Sequence, residues 1–267
     1  MTTLRLAVVG GGKMGAALVA GLVASGWAQP EDLLVVEPVA ARREELAAAH
    51  PGLGVAADLA GASVAGAVVA VKPGDVEAAC GALGGTGTAR VLSIAAGVTL
   101  ARLEAWLPEG VAVIRAMPNT PALVGAGAAA IAGGRSATDA DLAWAEEILA
   151  AVGTVERVGE ALLDAVTGLS GSGPAYVFLV AEALIEAGVS VGLPRAASEA
   201  LTVQTLLGSA RLLAESGERA EALRAAVTSP GGTTAAGLAA LEKRAVRAAF
   251  LEAVEAATRR SRELGAS

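Results

Sequence analysis

Through the first 160 residues, short apolar runs alternate with longer alanine-rich stretches. The runs at 4–9, 33–36, 67–71, 90–94 and 111–115 are four to six residues long and rich in Val, Leu and Ile. Runs that short, apolar on successive positions, predict strands buried on both faces. A shorter strand is expected at 54–56, and two more at 126–132 and 153–158. Between them, 16–23, 41–49, 75–83, 100–106 and 140–151 carry helix-forming residues. Strand and helix in repeated alternation predict an α/β fold with a doubly wound parallel sheet.

From Glu160 onward helices dominate. The segment Val166-Thr167-Gly168-Leu169-Ser170-Gly171-Ser172-Gly173-Pro174 reads as a helix break, and Pro174 suits the first turn of a helix over 175–187. Pro194 opens another, to about residue 214. A second interruption, Thr228-Ser229-Pro230-Gly231-Gly232-Thr233-Thr234, precedes helix over 235–264. The expected division is therefore 1–160, a nucleotide-binding domain, and 161–267, an all-α domain. Helices apolar nearly all round, as at 175–184 and 197–213, need something to bury them. A dimer formed through these helices meets that need, with cover by the sheet domain as the alternative.

The first strand runs straight into Gly10-Gly11-Gly12-Lys13-Met14-Gly15. Glycines at 10, 12 and 15, strand before and helix after, form the Rossmann-type dinucleotide fingerprint. Gly10 permits the tight turn, Gly12 lets backbone approach a pyrophosphate, and Gly15 lets helix pack on strand. The phosphates would rest on the free N–H groups of the helix start, with Lys13 and Met14 inside the loop. Glu37, about 20 residues on, is placed to hold a ribose 2′-hydroxyl, which favours NAD. Arg42 and Arg43 could instead meet a 2′-phosphate, or simply form a solvated helix face. NADPH and NADH both remain open.

Composition narrows the function. Net charge is −7, against nonspecific nucleic-acid binding, which needs clustered Lys and Arg. The single cysteine, Cys80, leaves no internal disulfide and suits a reducing cytoplasm. One Cys and one His, His50 at an apparent helix end, make a metal site unexpected. No apolar run reaches the roughly 18 residues needed to cross a bilayer; the best candidate, 175–193, is interrupted by Glu182 and Glu186. No secretory leader is expected, and the expected location is the cytoplasm.

Five segments in order resemble the blocks of the pyrroline-5-carboxylate reductase family over essentially the whole chain. They are Val69-Ala70-Val71-Lys72-Pro73, Ser93-Ile94-Ala95-Ala96-Gly97-Val98, Arg115-Ala116-Met117-Pro118-Asn119-Thr120-Pro121, Thr167 to Tyr176, and Val227-Thr228-Ser229-Pro230-Gly231-Gly232-Thr233-Thr234. The resemblance implies an N-terminal dinucleotide domain joined to a helical domain that dimerises, with dimers often assembling into decamers. It implies hydride transfer from nicotinamide C4 to the C=N carbon of 1-pyrroline-5-carboxylate, giving L-proline, the last step of proline biosynthesis. Val71, Lys72 and Pro73 would line the nicotinamide side, with Ala95, Ala96 and Met117 to Asn119 nearby. Ser229, Gly231, Gly232 and Thr233 would hold the substrate carboxylate, and the Thr234 hydroxyl would face the ring nitrogen.

That chemistry agrees with the residues. A carboxylate meeting free N–H groups at a helix start is in a natural anion site, and a threonine hydroxyl can donate to or accept from a ring nitrogen. Hydride addition to a protonated imine requires no nucleophile and no metal. Ser229 and the threonines can also be read as helix caps. A rival β-hydroxyacid dehydrogenase would carry a catalytic lysine on the long helix after the boundary, and 173–187 contains none. A dinucleotide-sensing protein without turnover is the non-enzymatic rival.

Overall fold

The computed structural model describes residues 3–266, and within them the chain forms two compact units: residues up to Ser172 together with those from Ala256 on, and Gly173–Glu255. The first is built on an eight-stranded sheet. In chain order it contains β1 (Leu4–Val9), α1 (Lys13–Ala24), β2 (Leu33–Val36), α2 (Ala40–Ala49), β3 (Gly54–Ala56), β4 (Val64–Val69), α3 (Val76–Leu83) and β5 (Arg90–Ser93). Then follow α4 (Leu100–Trp106), β6 (Ala112–Met117), β7 (Gly127–Gly133), α5 (Asp139–Ala150), β8 (Gly153–Arg157) and the single turn α6 (Leu163–Val166).

The strand order is β3-β2-β1-β4-β5-β6-β7-β8, so it reverses between β1 and β4. Successive residues of the central strands face opposite ways. Leu6, Val8, Val35, Val68 and Ile114 share one core with Leu18 and Leu22 of α1, Leu46 of α2 and Ile148 of α5. Ala7, Val9, Val69, Val91 and Val113 share the other with Cys80 and Leu83 of α3 and Leu103 of α4. Helices thus cover both faces, as the continuous apolar runs require.

Parallel pairing extends from β3 to β6 and again between β7 and β8, but β7 runs antiparallel to β6, with Arg115 opposite Ala132. The all-parallel expectation fails there for a topological reason. A parallel return needs a long crossover, usually helical, and only the 118–126 connection, a 3₁₀ turn over Thr120–Val124, joins these strands. With two strands beyond it, β6 is interior, so the Met117 to Pro121 segment is not at a sheet edge.

The helical unit contains most of α7 to α11: α7 (Gly173–Ser190), α8 (Arg195–Glu215), α9 (Ala220–Ala226), α10 (Thr233–Lys243) and α11 (Val246–Ala266). Its first two helices approach closely through small residues: a side chain on Gly188 would strike the Ser198 hydroxyl, which donates to the Ile185 carbonyl at 2.8 Å. α9 lies where no separate helix is expected. The expected single helix over 235–264 is broken between α10 and α11, where Ala245 takes a left-handed φ of 55°. Nor is 166–174 a break. Residues 167–171 form a π turn that carries the helical path from α6 into α7. The joined run Glu160–Ser190 is long and apolar enough, by length and composition, to cross a membrane, contrary to the expectation from the uninterrupted apolar runs. Very little of it is buried within this chain. The division by compactness also differs from a single cut at 160, because the last turns of α11 are counted with the sheet unit.

Candidate functional site

The point of strand reversal is where an open α/β sheet offers a crevice at its strand ends, and the glycine loop occupies it. Gly10 (φ 109°) donates to the Val36 carbonyl at 2.8 Å, and a side chain there would lie 2.6 Å from the Ala70 carbonyl oxygen. At Gly15 a side chain would collide with the Gly10 carbonyl. Gly12 is different: it is exposed, and a Cβ would meet nothing within 4 Å. It precedes α1 with no side chain capping the helix. The first-turn N–H groups therefore face an open approach, which is what a pyrophosphate needs. The residues present fit a dinucleotide.

Glu37 follows directly on β2. It is buried, and its two carboxylate oxygens accept from the backbone N–H of Gly11 at 3.1 Å and of Val39 at 2.9 Å. Arg42 Nε donates to the Gly11 carbonyl at 2.8 Å, and Arg43 Nη1 donates to the Glu37 and Pro38 carbonyls, both at 2.8 Å.

Along the same edge, the turns after β4 and β5 bring Val71, Lys72, Pro73, Ala95 and Ala96 to the strand ends. Pro73, Gly74, Ala96 and Gly97 border a cavity of about 600 Å³ that is closed by Thr167, Ser172, Arg260 and Ser261. Its far wall is tied by a hydrogen bond from Ser261 to Asp164 at 2.6 Å. After β6, Asn119 has both amide atoms committed: Nδ2 donates to the Ser170 carbonyl at 3.0 Å, and Oδ1 accepts from Ala128 N–H at 2.9 Å. Met117 packs so closely on the π turn that a side chain at Gly171 would lie 2.6 Å from its Cε. The Arg115, Met117 and Asn119 block thus holds the Thr167–Gly171 block in place.

In the helical unit, Ser229 to Thr234 form the turn into α10. Gly231 takes a φ of 71°, Gly232 N–H donates to the Ser229 carbonyl at 3.0 Å, and Ser229 Oγ sits so close over Gly232 that no side chain fits there. No side chain caps α10 at Gly232. Its first N–H groups are left without a side-chain cap, with Ser229 Oγ beside Gly232 and Thr233 and Thr234 opening the helix. The Thr228 hydroxyl instead donates to the Arg224 carbonyl at 2.6 Å.

A family model described as pyrroline-5-carboxylate reductase dimerisation matches residues 160–264, and one described as NADP oxidoreductase coenzyme F420-dependent matches residues 5–97. The pyrroline-5-carboxylate reductase of Synechocystis is 47% identical over 266 residues, spanning 98% of this chain and 99% of its own. The chain belongs to the pyrroline-5-carboxylate reductase family. The Mycobacterium tuberculosis pyrroline-5-carboxylate reductase is 44% identical over 285 residues, 97% of this chain and 96% of its own. The solved reductase of Coxiella burnetii superposes with a TM-score of 0.92 at 36% identity, covering 98% of this chain and 99% of its own. That of Plasmodium falciparum, solved with NADP bound, gives 0.84 at 30%, covering 99% of each.

The partners that tie the elements around this cavity, Glu160, Asp164 and Ser261, carry no signal in the sequence. Arg115 is buried and pairs at 3.0 Å with Glu160, whose same oxygen accepts the Leu100 N–H of α4 at 2.7 Å. Asp164 and Ser261 lie 97 positions apart. Only the arginine, a charge ending an apolar strand, hints at its role.

Proposed function

We propose that this chain reduces the C=N bond of 1-pyrroline-5-carboxylate with NADH or NADPH, giving L-proline in the last step of proline biosynthesis. The observation that supports this best is a pair of uncapped helix starts, at Gly12 in the sheet unit and at Gly232 in the helical unit. One suits a pyrophosphate, the other a small carboxylate. A bound reduced dinucleotide would supply the hydride; on accepting it the C=N carbon becomes saturated, and the iminium nitrogen takes up the π electrons and becomes an amine. Gly10, Gly12, Lys13, Met14 and Gly15 hold the phosphates and Glu37 the adenosine ribose. Val71, Lys72, Pro73, Ala95 and Ala96 border the nicotinamide. Asn119 keeps that border in shape through its two backbone bonds.

Ser229, Gly231, Gly232 and Thr233 hold the substrate carboxylate, and the Thr234 hydroxyl bonds the ring nitrogen. That bond gains a better acceptor as the amine lone pair forms, so part of it appears only in the transition state. The absence of any lysine in α7 argues against the dehydrogenase alternative. Residues 161–267 act as the substrate and dimerisation domain, two copies burying the apolar faces of α7 and α8, and such dimers assemble further into decamers. Cys80, buried as a thiol with its pKa pushed up to about 11 by desolvation, suits a reducing cytoplasm. Oxidation of NADH or NADPH on addition of pyrroline-5-carboxylate, with a 2-keto acid as control, tests the activity. Turnover of the keto acid alone would overturn it.

A further inference from the structure

We infer that this chain selects NADH over NADPH and that Glu37 makes the choice. The inference rests on the dinucleotide reading of the sheet unit, not on the identity of the reduced substrate. Family membership does not settle the matter, since the P. falciparum neighbour was solved with NADP bound.

Donors and acceptors around the Glu37 carboxylate decide the choice. An ionised carboxylate offers about four lone-pair sites. The Gly11 and Val39 N–H groups take one on each oxygen. Each oxygen therefore keeps one free acceptor site, and a ribose diol brings two O–H donors. The backbone bonds also fix the carboxylate, which is buried at the end of β2 and cannot swing aside. A 2′-phosphate reverses both terms. It carries about −1.5 to −2 charge at neutral pH and brings acceptors where donors are needed. Among the described residues no basic side chain forms an ion pair with Glu37 to offset its charge.

A phosphate clamp is missing on the other side too. The turn Glu37-Pro38-Val39-Ala40-Ala41 contains no Ser, Thr, Lys or Arg. The two arginines that follow are engaged: Arg42 with the Gly11 carbonyl and Glu45, Arg43 with two carbonyls of the turn itself. They brace the loop that Glu37 anchors. To reach a 2′-phosphate they would have to release it.

The test is calorimetric titration of the full-length protein with ADP-ribose and with 2′-phospho-ADP-ribose, which needs no turnover. The wild type should bind the 2′-phosphorylated ligand about tenfold or more weakly, a difference of about 1.4 kcal/mol. Glu37→Ser should narrow that gap at least about fivefold. Glu37→Gln, which keeps the shape and removes the charge, should also narrow it if the serine variant melts early. The NADH/NADPH ratio of kcat/KM should move the same way. Arg42→Ala and Arg43→Ala should not weaken the phosphorylated ligand selectively. Equal or tighter binding of that ligand by the wild type, an unchanged gap in both Glu37 variants, or a selective loss in either arginine variant would overturn the inference. Binding of neither ligand would remove the dinucleotide reading with it. Ligand discrimination without any reduction of pyrroline-5-carboxylate would leave this inference standing and remove only the substrate assignment.

Discussion

The sheet unit and the helical unit place their apolar side chains in opposite ways. Every buried apolar residue among those described falls between Leu6 and Leu163, whereas in 173–255 only Ser198 and Thr202 are buried. Along α7 and α8, Phe178, Leu179, Leu201, Val203 and Leu207 are each more than half exposed. Apolar surface of that extent marks an interaction face rather than a solvated one. One unit completes its core with its own helices. The other leaves its apolar faces uncovered within this chain, over the same 160–264 that match the family model described as pyrroline-5-carboxylate reductase dimerisation. The same contrast holds for the membrane-length helix Glu160–Ser190, very little of which is buried within this chain.

The comparison can be broken at several points. The largest effect is expected from Phe178→Asp combined with Leu179→Asp. Two charges in a dimer core should weaken self-association by more than about a thousandfold, since each uncompensated buried charge costs several kcal/mol. The same change at Val124, exposed on the sheet unit, should leave assembly untouched. Light scattering over a dilution series distinguishes them, and equal behaviour would mean the exposed face is not the interface.

Ile114→Ala, at the centre of a core already closed, should cost about 2–5 kcal/mol of stability. The fall in its melting temperature relative to the wild type should be the same at any protein concentration, while the deficit of the Phe178/Leu179 variant should grow as concentration rises, because only the wild type gains stability from association. An Ile114→Ala deficit that changes with concentration would show that the sheet unit is not self-sufficient.

Smaller effects are expected at the helix start of α10. Thr234→Val keeps volume and removes the hydroxyl proposed to bond the ring nitrogen; a hydrogen bond to a charged partner is worth about 1.5–3 kcal/mol. The expected loss in kcat/KM is about 10- to 150-fold, with dinucleotide affinity unchanged because that site belongs to the other unit. Wild-type efficiency would return Thr234 to a purely structural role. Ser229→Ala should do least, raising KM several-fold, about 1 kcal/mol, with kcat nearly kept. A carboxylate contact is made in ground and transition states alike, so a fall in kcat of the same size would contradict its assignment to the carboxylate.

Much of this was legible from residue order alone. Strand and helix periodicity placed β1, β2, β3 and α4 at their observed bounds, because a strand buried on both faces must be continuously apolar and its exits need Gly, Pro or charge. Gly10 and Gly15 announced their turn, since only glycine tolerates those contacts. The turn at 228–234 was equally visible as a Ser, Gly and Thr run before a helix.

Tertiary structure decided the rest. The reversal of β7 depends on how far the 118–126 connection can reach, not on the residues of the strand. The π turn at Thr167–Gly171 reads as a break because its glycines and serines favour one. It stays helical because Asn119 and Met117 hold it from a strand some fifty positions away. Whether Glu37 meets a hydroxyl or a phosphate was ambiguous while Arg42 and Arg43 were only neighbours in sequence. The fold turns both arginines onto backbone carbonyls and fixes the carboxylate with two backbone N–H groups, which is the ground for proposing a hydroxyl there. A sequence specifies which donors and acceptors exist; their pairing is a property of distances that only the folded chain sets.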